Sequence, residues 1–314
     1  MSRLVIAILV VVAATGCVKL DFFLWDGVPA TLEEYDFSSE DLDGIPPDRI
    51  TSELIPVGES GDEIHVLFVA RDEAKLDPAL AADKGITVIF SHGRYNNMLK
   101  YVYRLGYWED MGFNVLMYDY RGYGASSGET SETNMYEDVV AAYDYAKTQP
   151  GVGTIVSVGY SLGGAAAVYL CSEESGRKVA ACIVEATFSS VDQMADMAGY
   201  YDFQGSWFAD TEFDTAGRAA RIDLPFMVMH GTADKRIDVA HGQRIWSAVK
   251  ANHPANRFHK VEGATHNNIP VPSYKVDDEP REYSYPDELP ADLYAEFEEY
   301  KGWIVDFLVD GLGD

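Results

Sequence analysis

Residues 154–167, TIVSVGYSLGGAAA, carry the strongest structural signal in this chain of 314 residues. The β-branched run is typical of a buried strand, and the alanine-rich run after it is typical of a helix. Between them, Gly159, Ser161 and Gly163 form a G-x-S-x-G turn, where side chains at the glycine positions would collide with the strand or the helix. We therefore predict a sharp strand–turn–helix that lifts Ser161 above a sheet as a nucleophile.

A serine hydroxyl attacks efficiently only when a base removes its proton and a carboxylate orients that base. Around such a turn the chain order is Ser, then Asp or Glu, then His, with the last two on loops after later strands. Of the seven histidines, only His266 follows the last predicted strand. Asp234 follows the preceding strand, and Asp238 is a second candidate that better suits a helix start. The predicted catalytic triad is therefore Ser161, Asp234 and His266.

Two backbone N–H groups are predicted to bind the oxyanion that develops when Ser161 attacks a carbonyl. One belongs to Leu162, at the start of the helix after the turn. The other belongs to Arg94, in the loop after the strand predicted at 86–91, where Gly93 permits a close turn. Two interpretations of the Arg94 side chain stay open: it forms a surface salt bridge, or it binds a substrate carboxylate or phosphate.

From about residue 50, short β-branched runs alternate with helical patterns, which predicts a mostly parallel sheet of about eight strands flanked by helices. The predicted strands are 64–70, 86–91, 114–119, 154–159, 179–185, 225–230 and 257–261. The predicted helices are 97–111, 134–148, 162–173, 238–251 and 291–309. Two connections are longer than a crossover needs. We interpret residues 187–222 as a short apolar cap over the site and residues 268–290 as a surface excursion.

Several ordered sequence blocks resemble the α/β-hydrolases. They are Ser91–Gly93, Asp119–Gly124, the turn around Ser161, Glu185–Ser190, His230–Asp234 and Gly263–Asn267. The resemblance covers about residues 60–270 and is strongest to the serine-aminopeptidase-like branch, which includes depalmitoylase-type and monoacylglycerol-lipase-like enzymes. Arg94 departs from the asparagine that is frequent there, and Ile237-Asp238 departs from Val-Pro. The resemblance implies the α/β-hydrolase fold and a serine hydrolase without metal or cofactor, but it names no substrate.

The N-terminus has the pattern of an export signal. Arg3 precedes an apolar run over 4–14, which is too short to cross a bilayer and suits a signal peptide. The run ends in Ala14-Thr-Gly-Cys17, which resembles a bacterial lipobox, in which Cys17 receives the lipid. We therefore predict a lipoprotein anchored in the cell envelope, periplasmic or on the outer membrane. Simple secretion and an uncleaved anchor are the alternatives.

The predicted domain organisation has three parts: a signal peptide over 1–16, an acidic tether or poorly ordered arm over 17–48, and a hydrolase domain over 49–314. The chain holds 24 Lys and Arg against 51 Asp and Glu, a formal charge of −27. Such a charge repels phosphate backbones, which argues against nucleic-acid binding. Cys171 and Cys182 are in apolar contexts and are interpreted as buried hydrophobic residues rather than a disulfide or a metal pair.

The predicted reaction is hydrolysis of a carboxylic ester or thioester, either a small ester or an acyl lipid, through an acyl-enzyme. Apolar residues of the cap are candidates for an acyl pocket: Met194, Met197, Tyr200, Tyr201, Phe203, Trp207 and Phe208. A serine aminopeptidase is the alternative, and it needs a carboxylate that holds the substrate amine. The candidates for that carboxylate are Glu185, Asp210, Glu212 and Asp214. A catalytically silent envelope binding protein is a further alternative.

Overall fold

The computed structural model describes residues 25–35, 42, 45–80, 85–197, 211–271 and 293–313. Eight strands of this part of the chain form one sheet. They are β1 (Ile50–Val57), β2 (Asp62–Val69), β3 (Thr87–Ser91), β4 (Asn114–Tyr118), β5 (Ile155–Tyr160), β6 (Ala181–Glu185), β7 (Phe226–Gly231) and β8 (Arg257–Val261). The strand order is β1-β2-β4-β3-β5-β6-β7-β8. β2 is antiparallel to β1 and β4, and the other neighbours are parallel. The predicted, mostly parallel sheet is confirmed.

The described helices lie on both faces of the sheet. They are α1 (Val102–Glu109), α2 (Glu132–Ala146), α3 (Gly163–Cys171), α4 (Val191–Met197), α5 (Thr215–Ala219), α6 (Val239–Val249) and α7 (Tyr294–Leu312). One cluster of buried apolar residues joins α1 and α7 to one face of the sheet. Two further clusters join α2, α3, α5 and α6 to the opposite face. β3 to β6 consist of buried residues throughout, as expected for parallel strands that are covered on both faces.

The sheet register brings the loops of the site together. Ser91, at the end of β3, pairs with Gly159 of β5, and Tyr160 pairs with Glu185 at the end of β6. Parallel strands end at the same edge, so the loops after β3, β5, β7 and β8 leave the sheet side by side. Open parallel sheets bind ligands beyond these carboxyl ends.

Two features of the fold differ from the sequence predictions. β1 was not among the predicted strands, because it is an edge strand whose exposed residues Thr51, Ser52 and Glu53 hide the apolar alternation. Pro56 has no N–H group to donate, and it is tolerated in β1 because an edge strand pairs on one side only. The described parts of the predicted tether are also not a loose arm, since Tyr35, Leu42 and Ile45 are buried in the main apolar cluster.

Residues 25–35 lie against the domain. Asp26–Gly27 form a two-residue parallel strand with Tyr95–Asn96, separate from the main sheet. The Trp25 ring lies 5.8 Å from the Phe213 ring, centroid to centroid. Aromatic and aliphatic side chains spaced through this acidic segment therefore fold it onto the domain.

The remaining predictions about domain boundaries fall largely outside the described residues. Residues 1–24, including Cys17, lie there, as do 198–210 of the cap and 272–292 of the second long connection. α4 and α5 bracket the undescribed part of the cap. In the described part of the chain, no helix combines the length and apolarity needed to cross a bilayer.

Candidate active site

The turn after β5 places Ser161 in a conformation that L-residues rarely adopt, with φ of +54°. Two hydrogen bonds hold this strained residue. Its N–H donates to the Glu185 carbonyl at 2.9 Å, and its carbonyl accepts from the Thr187 hydroxyl at 2.7 Å. A left-handed conformation outside glycine persists only where the surroundings fix it, and it is common at functional sites. Here Glu185 at the end of β6 and Thr187 just after it hold Ser161 in this conformation.

The glycines of the turn are required by close packing. A Cβ atom at Gly159 would overlap the backbone of Gly163, and one at Gly163 would overlap the carbonyl of Ser91. Neither contact can be relieved by a side-chain movement, since each partner is main chain. The turn therefore presses directly against the end of β3, where the loop that contains Gly93 and Arg94 begins.

Three side chains predicted from distant parts of the sequence meet at this turn. The Nε2 atom of His266 lies 3.1 Å from the Ser161 Oγ atom, and its Nδ1 atom lies 2.7 Å from the Asp234 Oδ2 atom. All three residues are buried, with exposed fractions of 8% for Ser161, 7% for His266 and 5% for Asp234. An ionised Asp234 accepts the Nδ1 hydrogen, which leaves Nε2 as the acceptor for the serine proton.

Asp234 is held as an ionised acceptor. Its Oδ1 atom accepts the backbone N–H groups of Arg236 at 2.8 Å and Ile237 at 3.0 Å, while Oδ2 faces His266. Burial alone raises the pKa of Asp234, but the hydrogen bonds from His230, His266 and the Ile237 backbone outweigh burial and hold the pKa well below its usual range. Asp238, the second candidate, is exposed and accepts from the Ala240 N–H at 2.8 Å as the N-cap of α6.

His230 is a second histidine on the same carboxylate, and the sequence prediction did not give it a role. Its Nε2 atom lies 2.8 Å from the Ile237 carbonyl and 3.4 Å from Asp234 Oδ2. A carbonyl only accepts, so this nitrogen carries the hydrogen and fixes the loop that presents Asp234. The His-Gly dipeptide at the end of β7 can be seen in the sequence. Its partners, Ile237 and Asp234, can be identified only from the structure, because the loop after β7 folds back over His230.

The two predicted oxyanion donors lie in neighbouring segments. Leu162 directly precedes α3, and Arg94 is exposed just after the buried Gly93. A Cβ atom at Gly93 would lie 3.2 Å from the ring of Tyr160, the residue before the nucleophile. The Gly93 loop therefore packs against the turn of Ser161. The catalytic roles of the triad and of these N–H groups stay predictions.

A buried polar network supports the His266 loop from below. The Tyr160 hydroxyl lies 2.6 Å from the Asn267 Oδ1 atom and 3.2 Å from the His266 carbonyl. Burial raises the pKa of Tyr160 well above its ordinary range, so the hydroxyl keeps its hydrogen and donates. Beneath its ring, at 3.9 Å from the ring centroid, lies the guanidinium carbon of Arg104, which is paired with Glu185 at 2.6 Å.

Replacing Tyr160 with phenylalanine is expected to lower kcat for an ester about threefold to tenfold, because the loop that carries His266 loses a hydrogen bond worth about 1 kcal/mol. KM should change little, because the ring and its packing remain. Tyr143→Phe is the matched control, since that buried tyrosine also donates to a carbonyl, that of Lys178 at 2.9 Å, but away from the site. Equal kcat values for both variants would remove Tyr160 from the support of His266.

The carboxylates proposed to hold a substrate amine are engaged elsewhere or lie outside the described residues. Glu185 is buried between Arg104 and the Tyr300 hydroxyl. Asp214 caps α5 by accepting the Gly217 N–H at 2.9 Å. Glu212 is exposed, and Asp210 lies outside the described residues. This arrangement does not favour the aminopeptidase prediction.

Neither a metal centre nor a disulfide is present in the part of the chain that the structure describes. No group of three or more His, Cys, Asp or Glu residues is arranged there to hold a metal ion. Cys171 and Cys182 are both buried and unbridged. Their packing in the apolar cluster around α3 and α6 confirms the interpretation of both as hydrophobic residues.

This sheet, with a strained serine turn after β5, defines the α/β-hydrolase fold. A family model described as the alpha/beta hydrolase fold matches residues 86–221. The Pyrococcus furiosus esterase Pf2001 superposes with a TM-score of 0.62 at 18% identity, over 88% of this chain and 94% of that chain. Est1E from Butyrivibrio proteoclasticus gives 0.55 at 16% identity, over 80% and 99%. Together these matches show that the chain has the α/β-hydrolase fold.

The chain is also similar in sequence to several curated proteins. The Caenorhabditis elegans alpha/beta hydrolase domain-containing protein aho-3 is 33% identical over 58% of this chain and 53% of its own length. Human alpha/beta hydrolase domain-containing protein 17C is 33% identical over 58% and 53%. The uncharacterized protein YfhR of Escherichia coli O157:H7 is 26% identical over 65% and 70%. The chain thus spans about half the length of the first two.

Proposed function

We propose that the protein is a serine hydrolase that cleaves a carboxylic ester or thioester through an acyl-enzyme. The observation that carries the proposal is the continuous hydrogen-bonded line from Ser161 through His266 to Asp234, with steps of 3.1 Å and 2.7 Å. A base within hydrogen-bond reach of the nucleophile, itself oriented by a third group, is the arrangement that activates a serine.

In the proposed reaction the Ser161 oxygen attacks the substrate carbonyl carbon while its proton moves to His266 Nε2. Asp234 stabilises the imidazolium and stays ionised. The N–H groups of Leu162 and Arg94 bind the oxyanion of the tetrahedral intermediate. Collapse breaks the bond to the alkoxide or thiolate, which takes the proton from His266. Water then attacks the acyl-enzyme by the same route and releases the acid and Ser161.

Esters and thioesters are favoured over peptides as substrates by the state of the nearby carboxylates. An aminopeptidase needs an acidic group that is available to the substrate amine. Glu185, the candidate nearest the turn, is already neutralised by Arg104, and Asp214 serves as a helix cap. The esterase name of the structural neighbour Pf2001 and the depalmitoylase-like resemblance of the sequence blocks agree with this choice.

The proposed lipid on Cys17 favours acyl substrates at a membrane surface. Trp25, which packs on the domain, follows Cys17 by only eight residues. Eight extended residues span at most about 29 Å, so an anchor there would keep the domain close to the bilayer. We expect the wild-type protein made in bacteria to sediment with membranes. A Cys17→Ser variant should become soluble and keep its kcat on water-soluble esters. Equal sedimentation of both would contradict the lipid anchor.

The test of the proposed function compares p-nitrophenyl esters of increasing acyl length with aminoacyl p-nitroanilides. We expect turnover of the esters with an optimum acyl length, and no turnover of the anilides above background. An apolar acyl pocket gains about 0.8 kcal/mol for each methylene that it buries, so kcat/KM should rise up to the length that fills the pocket. Faster cleavage of the anilides would favour the aminopeptidase, and a folded protein inactive on both would favour the silent binding protein.

A further inference from the structure

We propose that residues 25–35, which we call the N-terminal clasp, are a positioning element of the active site. In this proposal the clasp holds the backbone of Arg94 in the orientation that binds the oxyanion. The proposal rests on the proposed function, because it assigns the clasp a part in the same hydrolysis. Its basis is a set of contacts from one end of the clasp to Arg94 and from the other end to the carboxylate beside His92.

The first end of the clasp pairs with the loop immediately after Arg94. Asp26–Gly27 lie parallel to Tyr95–Asn96, and the Val28 N–H donates to the Asn96 carbonyl at 3.1 Å. The Asn97 side-chain amide donates back to the Val28 carbonyl at 3.2 Å. Asn96 has φ of +65°, a left-handed conformation that needs such external support outside glycine. The clasp therefore fixes a strained loop next to the predicted oxyanion donor.

A tyrosine hydroxyl continues this contact to Arg94 itself. The Asp26 N–H donates to the Tyr123 hydroxyl at 3.1 Å, and that hydroxyl donates to the Arg94 carbonyl at 2.9 Å. Burial raises the pKa of Tyr123 above its ordinary range, so the hydroxyl keeps the hydrogen that it donates. Gly27 leaves room for this arrangement, since a Cβ atom there would lie 2.8 Å from the Tyr123 ring.

The peptide on the other side of Arg94 is held by His92. The Nδ1 atom of His92 lies 2.7 Å from the Gly93 carbonyl, which can only accept. A trans peptide directs its N–H away from its carbonyl, so this bond fixes the direction of the Arg94 N–H group. Both peptides that flank Arg94 are thus held, one by His92 and one by Tyr123.

The second end of the clasp bonds to a buried carboxylate that lies beside His92. The Tyr35 hydroxyl donates to Asp119 Oδ2, and Asp119 Oδ1 lies 3.3 Å from His92 Nε2. Tyr35 is buried and packs edge-on against the His65 ring at 4.3 Å. Gly124 is needed here, because a Cβ atom would overlap the Tyr35 hydroxyl. Tyr35 thus holds the carboxylate that lies beside His92, and Asp26 contacts the tyrosine that holds the peptide after Arg94.

The test uses Tyr35→Phe and Tyr123→Phe in the full chain, with Tyr143→Phe as the matched control. Each is assayed for kcat and KM on a p-nitrophenyl ester and for the inhibition constant of a trifluoromethyl ketone, whose serine adduct carries an oxyanion. Removal of a whole oxyanion donor costs about 10²- to 10³-fold in kcat, so we expect about a tenfold loss when the donor is only misoriented. KM should change little, and ketone affinity should fall by the same factor as kcat/KM.

A merely structural clasp would lower the melting temperature of the two variants without a parallel loss of ketone affinity, and that result would overturn the proposal. Unchanged kcat in both variants of an active enzyme would overturn it as well, and would leave the proposed function intact. A wild-type protein that neither hydrolyses the ester nor binds the ketone would overturn the proposed function, and the clasp proposal with it.

Discussion

Replacing Ser161 with alanine is expected to lower kcat on the best p-nitrophenyl ester by about 10⁴- to 10⁶-fold. The reason is the loss of the oxygen that lies 3.1 Å from His266 Nε2, which removes the acyl-enzyme route altogether. Activity that remains would come from oxyanion binding and substrate positioning alone. The measurement is initial rate under saturating ester, with the melting temperature as a check on folding.

Ser157→Ala is the matched control for this variant. Ser157 lies in β5, is as buried as the strand around it, and donates to the Ala167 carbonyl at 3.2 Å. Its loss should cost about 1 kcal/mol of stability and leave kcat unchanged. The assignment of Ser161 as the nucleophile would be contradicted by a Ser161→Ala protein that folds and retains wild-type kcat.

Replacing Asp234 with asparagine is expected to lower kcat by about 10⁴-fold, because the amide favours the wrong tautomer of His266. An asparagine can donate to Nδ1, which puts the hydrogen on Nε2 and removes the acceptor for the serine proton. Asp238→Asn separates this role from a general effect of charge. Asp238 is exposed and caps α6, and asparagine caps equally well, so kcat should not change. A larger loss for Asp238→Asn would move the acid to that residue.

Asp234 also gives the stability of the fold a defined pH dependence. Its folded pKa is depressed, so the ionised form stabilises the fold above the unfolded pKa of about 3.9. This contribution is lost as the pH falls toward the folded pKa. The difference in free energy of unfolding between wild type and Asp234→Asn should therefore be largest near neutral pH and shrink below about pH 4. Denaturant titrations at a series of pH values measure it, and a constant difference would contradict an ionised, hydrogen-bonded Asp234.

The sheet, and the loops on which Ser161, Asp234 and His266 lie, could be predicted because each strand and turn has a local sequence signal. The strand, turn and helix around Ser161 are adjacent in the chain, and the sterics of Gly159 and Gly163 restrict what the turn can be. Asp234 and His266 each follow a recognisable strand, so chain order alone selected them. Side chains from separate loops then met because parallel strands end at one edge of the sheet.

The parts that the sequence did not predict depend on contacts between distant segments. The pairing of Asp26–Gly27 with Tyr95–Asn96 leaves no periodic pattern in an acidic, glycine-containing segment. Arg104 lies in α1 and meets Glu185 of β6 only because α1 packs against that part of the sheet. Such contacts join segments that are distant in the sequence. Secondary-structure propensity and hydrophobic patterning describe single segments, so neither predicts them.

The pairing of Asp26–Gly27 with Tyr95–Asn96 indicates that the N-terminal segment is more than a tether. A tether would leave the chemistry unaffected by its sequence, whereas the clasp contacts the loop that holds Arg94 through Val28 and Tyr123. A segment leading to a proposed membrane anchor would then also complete the active site. Mutations in residues 25–35 are thus expected to alter hydrolysis in the absence of any membrane.

The most direct test of Ser161 as an activated nucleophile is the mass of the peptide that contains Ser161 after reaction with a fluorophosphonate. This reagent phosphonylates a serine only when a neighbouring base activates it. We expect one adduct per chain, on Ser161, absent from Ser161→Ala and strongly slowed in Asp234→Asn. A folded wild-type protein without an adduct, or with an adduct on another residue, would contradict it.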